Sequence, residues 1–141
     1  MNDWGKSVLE QYDIRVDAVR RGRGALLCET DHGLKLLQAC GCSERHLEAE
    51  QHLLSQVREQ GFERVDVCVA NREGKWISED AEHRQDVLKD WYEGNDCSAE
   101  RSADWKRAAQ ALARLHLCLL RCRTTEEARK TVFAAESLCA E

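Results

Sequence analysis

Over residues 13–18 polar and apolar positions alternate, with Ile14, Val16 and Ala18 on one side, the period of a half-buried strand. Arg20, Arg21, Gly22, Arg23 and Gly24 end that alternation as a turn. A second strand is predicted over 25–30, and Asp31-His32-Gly33 joins it to a third over 34–38, because Gly and Asp supply the backbone freedom that a hairpin needs. Ser43 then reads as a helix N-cap and Glu44 as an anion in the first turn; the helix runs to about Gln60 and stops at Gly61. Val65, Val67 and Val69 alternate with polar or small neighbours, residues 71–74 make a turn, and 75–78 are expected to return as a short strand paired with them. A polar loop over 79–85 precedes a strand over 86–92. The pattern breaks at Glu93-Gly94-Asn95-Asp96. A helix follows over 104–122, with Trp105, Ala108, Leu112, Leu115, Leu119 and Cys122 along one stripe, and 125–141 are predicted helical too.

The 141 residues suit one domain with its own core. A net charge of -5 argues against broad nucleic-acid binding, which runs on clustered Lys and Arg. No run is long and apolar enough for a bilayer, and residues 1–10 lack the basic start and apolar stretch of an export signal, so a cytoplasmic protein is expected. Eight Cys are scattered with no CxxC pair, which suits buried small apolar residues.

Lys35 lies between Leu34, Leu36 and Leu37 on the third strand, and an ammonium on a half-buried sheet needs an anion. On the following helix Leu47, Leu53, Leu54 and Val57 define an apolar face; Glu50 falls near its centre and Glu48 on the opposite side. Glu50 is therefore the expected partner of Lys35. The competing reading has Glu50 at the edge of that face, snorkelling to water, and Lys35 as a strand-edge protector. The turn with Arg21, Gly22, Arg23 and Gly24 offers backbone N–H groups and positive field to an anion, although it matches GxGxxG poorly. Asp90 to Asn95 has the D-x-x-x-x-N spacing of a kinase catalytic loop but lacks the preceding His and precedes the helices. That reading is rejected; Trp91, Tyr92 and Glu93 are instead expected to present backbone groups to an adenine edge. Cys40, Cys42, His46 and His52 do not have zinc-site spacing, and Cys118, Cys122 and His116 read as helix packing.

Gly22-Arg23-Gly24-Ala25-Leu26-Leu27-Cys28-Glu29-Thr30-Asp31, Gly33-Leu34-Lys35-Leu36-Leu37, Gly61-Phe62, Leu88-Lys89-Asp90-Trp91-Tyr92-Glu93-Gly94 and Ala111-Leu112-Ala113-Arg114-Leu115-His116 together resemble the N-terminal portion of the CotS-type spore coat proteins. These are kinase-like proteins related to aminoglycoside and choline phosphotransferases. The resemblance implies an α+β fold: a kinase-like N-lobe over 1–94, an antiparallel sheet with one packed helix, and over 95–141 a hinge and the first helices of an incomplete C-lobe. It implies Lys35 as the phosphate-binding Lys with Glu50 as its partner, Arg21, Gly22, Arg23 and Gly24 over the phosphates, and Trp91, Tyr92 and Glu93 at the hinge. ATP with Mg is the implied cofactor, weak or absent in this portion. The catalytic loop and metal-binding Asp of such proteins have no counterpart among these residues, so no catalytic or metal residue is expected, and the chain reads as truncated and inactive alone. The implied role is a structural or interaction component of the spore coat. The alternative is the nucleotide-binding half of an ATP-dependent small-molecule phosphotransferase. Expected partners are other coat proteins, the missing C-lobe or a second copy, without nucleic acid or membrane.

Overall fold

A computed structural model describes residues 3–123; the helix expected over 125–141 lies outside the described residues. The elements are α1 (Asp3–Leu9), β1 (Val16–Arg21), β2 (Ala25–Thr30), β3 (Gly33–Ala39), α2 (Glu44–Glu59), β4 (Ile77–Glu79), β5 (Gln85–Asp90) and α3 (Ser102–Leu120). All strands join one antiparallel sheet in the order β1-β2-β3-β5-β4. Of the described residues, 3–47 with 66–92 form one compact unit and 48–65 with 93–123 another.

The first unit holds the sheet. Ala25 pairs with Gln38 and Thr30 with Gly33, the register of a tight β2–β3 hairpin, and Gly33 turns it at φ +90°, where a side chain would be strained. Alternation then sorts side chains onto two faces. Leu26, Cys28, Leu37 and Leu88 share one face and pack with Val8, Leu9 and Tyr12 from α1 and the chain beyond it. α1 approaches closely, since a Cβ on Gly5 would overlap the Leu26 side chain. Val87 faces the other way, against Leu47 from the first turn of α2 and Cys68. The Ser43 hydroxyl caps that helix, accepting from the His46 amide at 3.2 Å.

Several expectations shift. β1 starts and ends about three residues later than its alternation suggested, so Arg20 and Arg21 belong to the strand; pairing with β2 out to Leu26 opposite Arg21 extends it. α1 was missed because seven residues carry too little periodicity. Residues 65–69 do not pair with β4. They touch β5 through an isolated Cys68–Lys89 bridge, with the Val69 amide on the Leu88 carbonyl at 2.8 Å, while β4 pairs with β5 on its own. Asn71 makes the intervening turn, its Oδ1 accepting the Glu73 and Lys75 amides, each at 3.0 Å.

In the second unit α2 closes with Gly61 at φ +97°, the Phe62 amide on the Val57 carbonyl at 3.3 Å and the Gly61 amide on that of Arg58 at 3.0 Å, a Schellman ending. Gln60 Nε2 donates to the Cys118 carbonyl of α3 at 3.0 Å. Gln56 Oε1 accepts from the Arg123 amide at 2.8 Å and its Nε2 donates to the Arg123 carbonyl at 2.8 Å. α3 has no buried residue, and Trp105, Leu112, Leu117 and Leu120 are all more than half exposed.

Candidate functional site

Lys35 is opposite Cys28 on one side and Asp90 on the other, and directly opposed residues of paired strands point to the same face. Its side chain therefore shares the face of Cys28, Leu37 and Leu88, covered from α1. Its Nζ donates to Asp90 Oδ1 at 2.6 Å and to the His32 carbonyl at 2.9 Å, and the two side chains are only 10% and 18% exposed. A short, doubly hydrogen-bonded ammonium in such a place is a buried, satisfied charge.

The expected Lys35–Glu50 pair is not made. Lys35 finds its carboxylate one strand away, on its own face of the sheet. Glu50 is half-buried on α2 and, among the described residues, has no ion pair. The apolar face of α2 also differs from the expected one: Leu47, Ala49, Gln51 and Val57 are buried, whereas Leu53 and Leu54 are half-buried.

At the β1–β2 turn the Gly22 amide donates to the Ala25 carbonyl at 2.9 Å, so that N–H already has an acceptor within the hairpin. Gly24 has φ +66°, Arg20 pairs with Glu29 at 3.7 Å, and Arg21 and Arg23 are exposed. Trp91 and Tyr92 are exposed aromatics; the Trp91 amide donates to the Leu34 carbonyl at 3.0 Å, which takes one of the groups expected to meet an adenine edge. Glu93 is exposed as well.

Sequence reasoning overlooked Asp90 as the partner of Lys35. The signal was present: Asp86, Leu88 and Asp90 alternate, and a core Leu88 puts both aspartates on the covered face. Lys89, pointing the other way, pairs with Asp66 at 3.4 Å. Asp86 is fully buried; its carboxylate faces the Arg84 guanidinium, whose Nε lies 3.4 Å from Oδ1, and among the described residues neither oxygen has a well-aligned hydrogen bond. Burial pushes its carboxyl pKa above the usual range, Arg84 partly offsetting that. Next to it on β4, Ser78 donates to the Tyr12 hydroxyl at 3.0 Å and accepts from Asn71 Nδ2 at 3.0 Å, and burial raises the Tyr12 pKa.

Burial lifts the Cys28 thiol to about 11, which keeps it protonated and inert. Among the described residues no three His, Cys, Asp or Glu side chains converge as metal ligands, and no described helix is long and apolar enough to cross a membrane.

No protein-family profile and no curated protein matches the chain. Among solved structures, the chain is similar to an aminoglycoside phosphotransferase from Alicyclobacillus acidocaldarius, with TM-score 0.69 and 15% identity. The match covers 81% of this chain and 34% of that one, so the chain spans about a third of the phosphotransferase's length. At this identity the likeness establishes the fold: an α+β, kinase-like arrangement of five-stranded antiparallel sheet and helices.

Proposed function

We propose that the chain works as a kinase-like packing and interaction module, of the kind its sequence resemblance to CotS-type spore coat proteins implies, rather than as a nucleotide-binding catalyst. The observation that carries the non-catalytic part is the state of Lys35. A kinase-type site uses a strand Lys held by a helix Glu and aimed at phosphates. Here the ammonium is 2.6 Å from Asp90 and 2.9 Å from a backbone carbonyl, on the covered face of the sheet. To meet a phosphate it would have to leave both acceptors, the Asp90 carboxylate and the His32 carbonyl. Fold alone does not dictate activity. The partners on this reading are other coat proteins, the rest of a kinase-like protein or a second copy, and the location is the spore coat.

The second reading is the nucleotide-binding half of an ATP-dependent small-molecule phosphotransferase, favoured by the fold likeness to the aminoglycoside enzyme. Thermal unfolding with and without ATP and Mg separates the two. The module reading expects an unchanged midpoint. A rise of several degrees at saturating nucleotide, as binding to the folded state alone would produce, that disappears in the doubly apolar Lys35→Met/Asp90→Leu variant would overturn it in favour of the phosphotransferase.

A further inference from the structure

We propose that the cleft beside the Schellman turn of α2 in the second unit binds a small phosphate monoester. The cleft encloses about 460 Å³ and is lined by Gly61, Phe62, Glu63, Arg64, Ala111 and Arg114, a volume in the range of small-ligand sites. Its space exists because two of the six residues contribute almost no side chain: Gly61 has none and Ala111 a single methyl.

The polar groups around that space are mainly cationic. Arg64 and Arg114 both line it, and among the described residues neither guanidinium has a hydrogen bond or an ion pair with a carboxylate. Arg114 is instead held over the Phe62 ring, 5.6 Å from its centroid, a cation–π contact that orients the planar fork without using its N–H donors. The Phe62 backbone amide donates a hydrogen bond to the Val57 carbonyl, so the ring that positions Arg114 sits on the hydrogen-bonded ending of α2. Two guanidiniums beside one cleft repel each other, and an anion that accepts from both relieves the repulsion. Glu63 is the one acidic side chain in the lining, against the two arginines. Phosphate suits this arrangement better than a single carboxylate: it carries up to two charges at neutral pH and has several oxygens for two forks at once. The Phe62 edge and the Ala111 methyl leave an apolar wall for the organic part of an ester. None of these residues belongs to the Lys35 region, so the site stands or falls independently of the function proposed above.

Isothermal titration of the whole chain with phenyl phosphate tests it, with inorganic phosphate as the second arm. Saturable binding is expected with a Kd of about 1 mM or tighter, the ester binding more tightly than inorganic phosphate. Arg64→Ala and Arg114→Ala should each weaken it about tenfold, Arg114→Lys less, and Glu63→Gln should tighten it. Ala111→Leu, which fills the cleft without changing charge and keeps a good helix former at that position, should abolish it while far-ultraviolet circular dichroism stays unchanged. Absence of saturable heat in both arms would overturn the proposal. So would an affinity that survives either Arg→Ala variant or Ala111→Leu. Tighter binding of inorganic phosphate than of the ester would overturn the monoester assignment and leave a plain anion site.

Discussion

Lys35 and Lys89 stand on neighbouring strands of one sheet, point to opposite faces and each meets an aspartate, yet the two pairs live in different surroundings. Lys35 and Asp90 are 10% and 18% exposed and 2.6 Å apart. Lys89 is similarly covered, at 12%, but its partner Asp66 is 47% exposed and 3.4 Å away. On the Lys35 face the sheet is sealed by Val8, Leu9 and Tyr12, and buried polar groups sit among them: Ser78, Asp86 and Lys35 itself. On the Lys89 face the buried cluster is smaller, built on Leu47, Cys68 and Val87. Burial, not the identity of the charged groups, decides what a pair costs to break: removing one partner on the sealed face leaves a charge with no water to take it, whereas at a half-wet pair solvent replaces the lost partner.

The sharpest way to break the comparison is Asp90→Ala, expected to cost about 3–5 kcal/mol in urea unfolding because Lys35 is left charged and unpaired. A loss under about 1 kcal/mol would mean that water reaches Lys35 and that the two faces do not differ as described.

Next in size is Asp86→Asn. Burial raises the Asp86 pKa in the folded state, so over the pH window between its ordinary and its raised value the folded chain binds more protons than the unfolded one. Stability should therefore fall as pH rises through that window. Asn removes the charge, so the variant should be more stable than the parent at neutral pH, by about 1–3 kcal/mol, and the advantage should shrink toward acid as Asp86 takes up its proton. Unfolding midpoints that run parallel for both proteins from acid to neutral pH would contradict this.

Ser78→Ala is expected to cost about 1–2 kcal/mol by leaving the Tyr12 hydroxyl and Asn71 Nδ2 short of a partner in a dry environment. Tyr12→Phe in the Ser78→Ala background should cost less than it does alone, since the two share one hydrogen bond.

The smallest effects belong to the less buried acids. Asp66→Ala should cost less than about 1 kcal/mol, and Glu50→Ala should stay within about 0.5 kcal/mol, since Glu50 has no ion pair among the described residues. A loss from Glu50→Ala as large as that from Asp90→Ala would restore Glu50 as the partner of Lys35.

How much of this was legible beforehand follows from where the information resides. The β2–β3 hairpin, the cap at Ser43, the end of α2 at Gly61 and the presence of α3 are local matters: alternation, a turn glycine, a hydroxyl before a helix and a 3.6-residue stripe all lie within a few residues of the features they specify. That Lys35 needs an anion was local too, since its apolar neighbours adjoin it in the chain. Which anion it meets was not. Asp90 lies 55 residues away and is brought opposite by the insertion of β5 between β3 and β4, a pairing that no window of sequence encodes.

Helical periodicity put Glu50 near the centre of an apolar face, whereas the buried positions of α2 are Leu47, Ala49, Gln51 and Val57 and Glu50 is half-buried. The burial of Asp86, the union of Tyr12 with Ser78, and the cleft that gathers Phe62, Arg64 and Arg114 likewise join segments distant in the chain. The amino-acid sequence by itself determined the β2–β3 hairpin, the start and end of α2, the presence of α3 and that of a cation requiring a partner, because those follow from short-range sterics and periodicity. Only the tertiary structure decided strand order, the face each charge occupies and hence that Asp90 is the carboxylate Lys35 meets, because those depend on long-range pairing and on which surfaces lose their water.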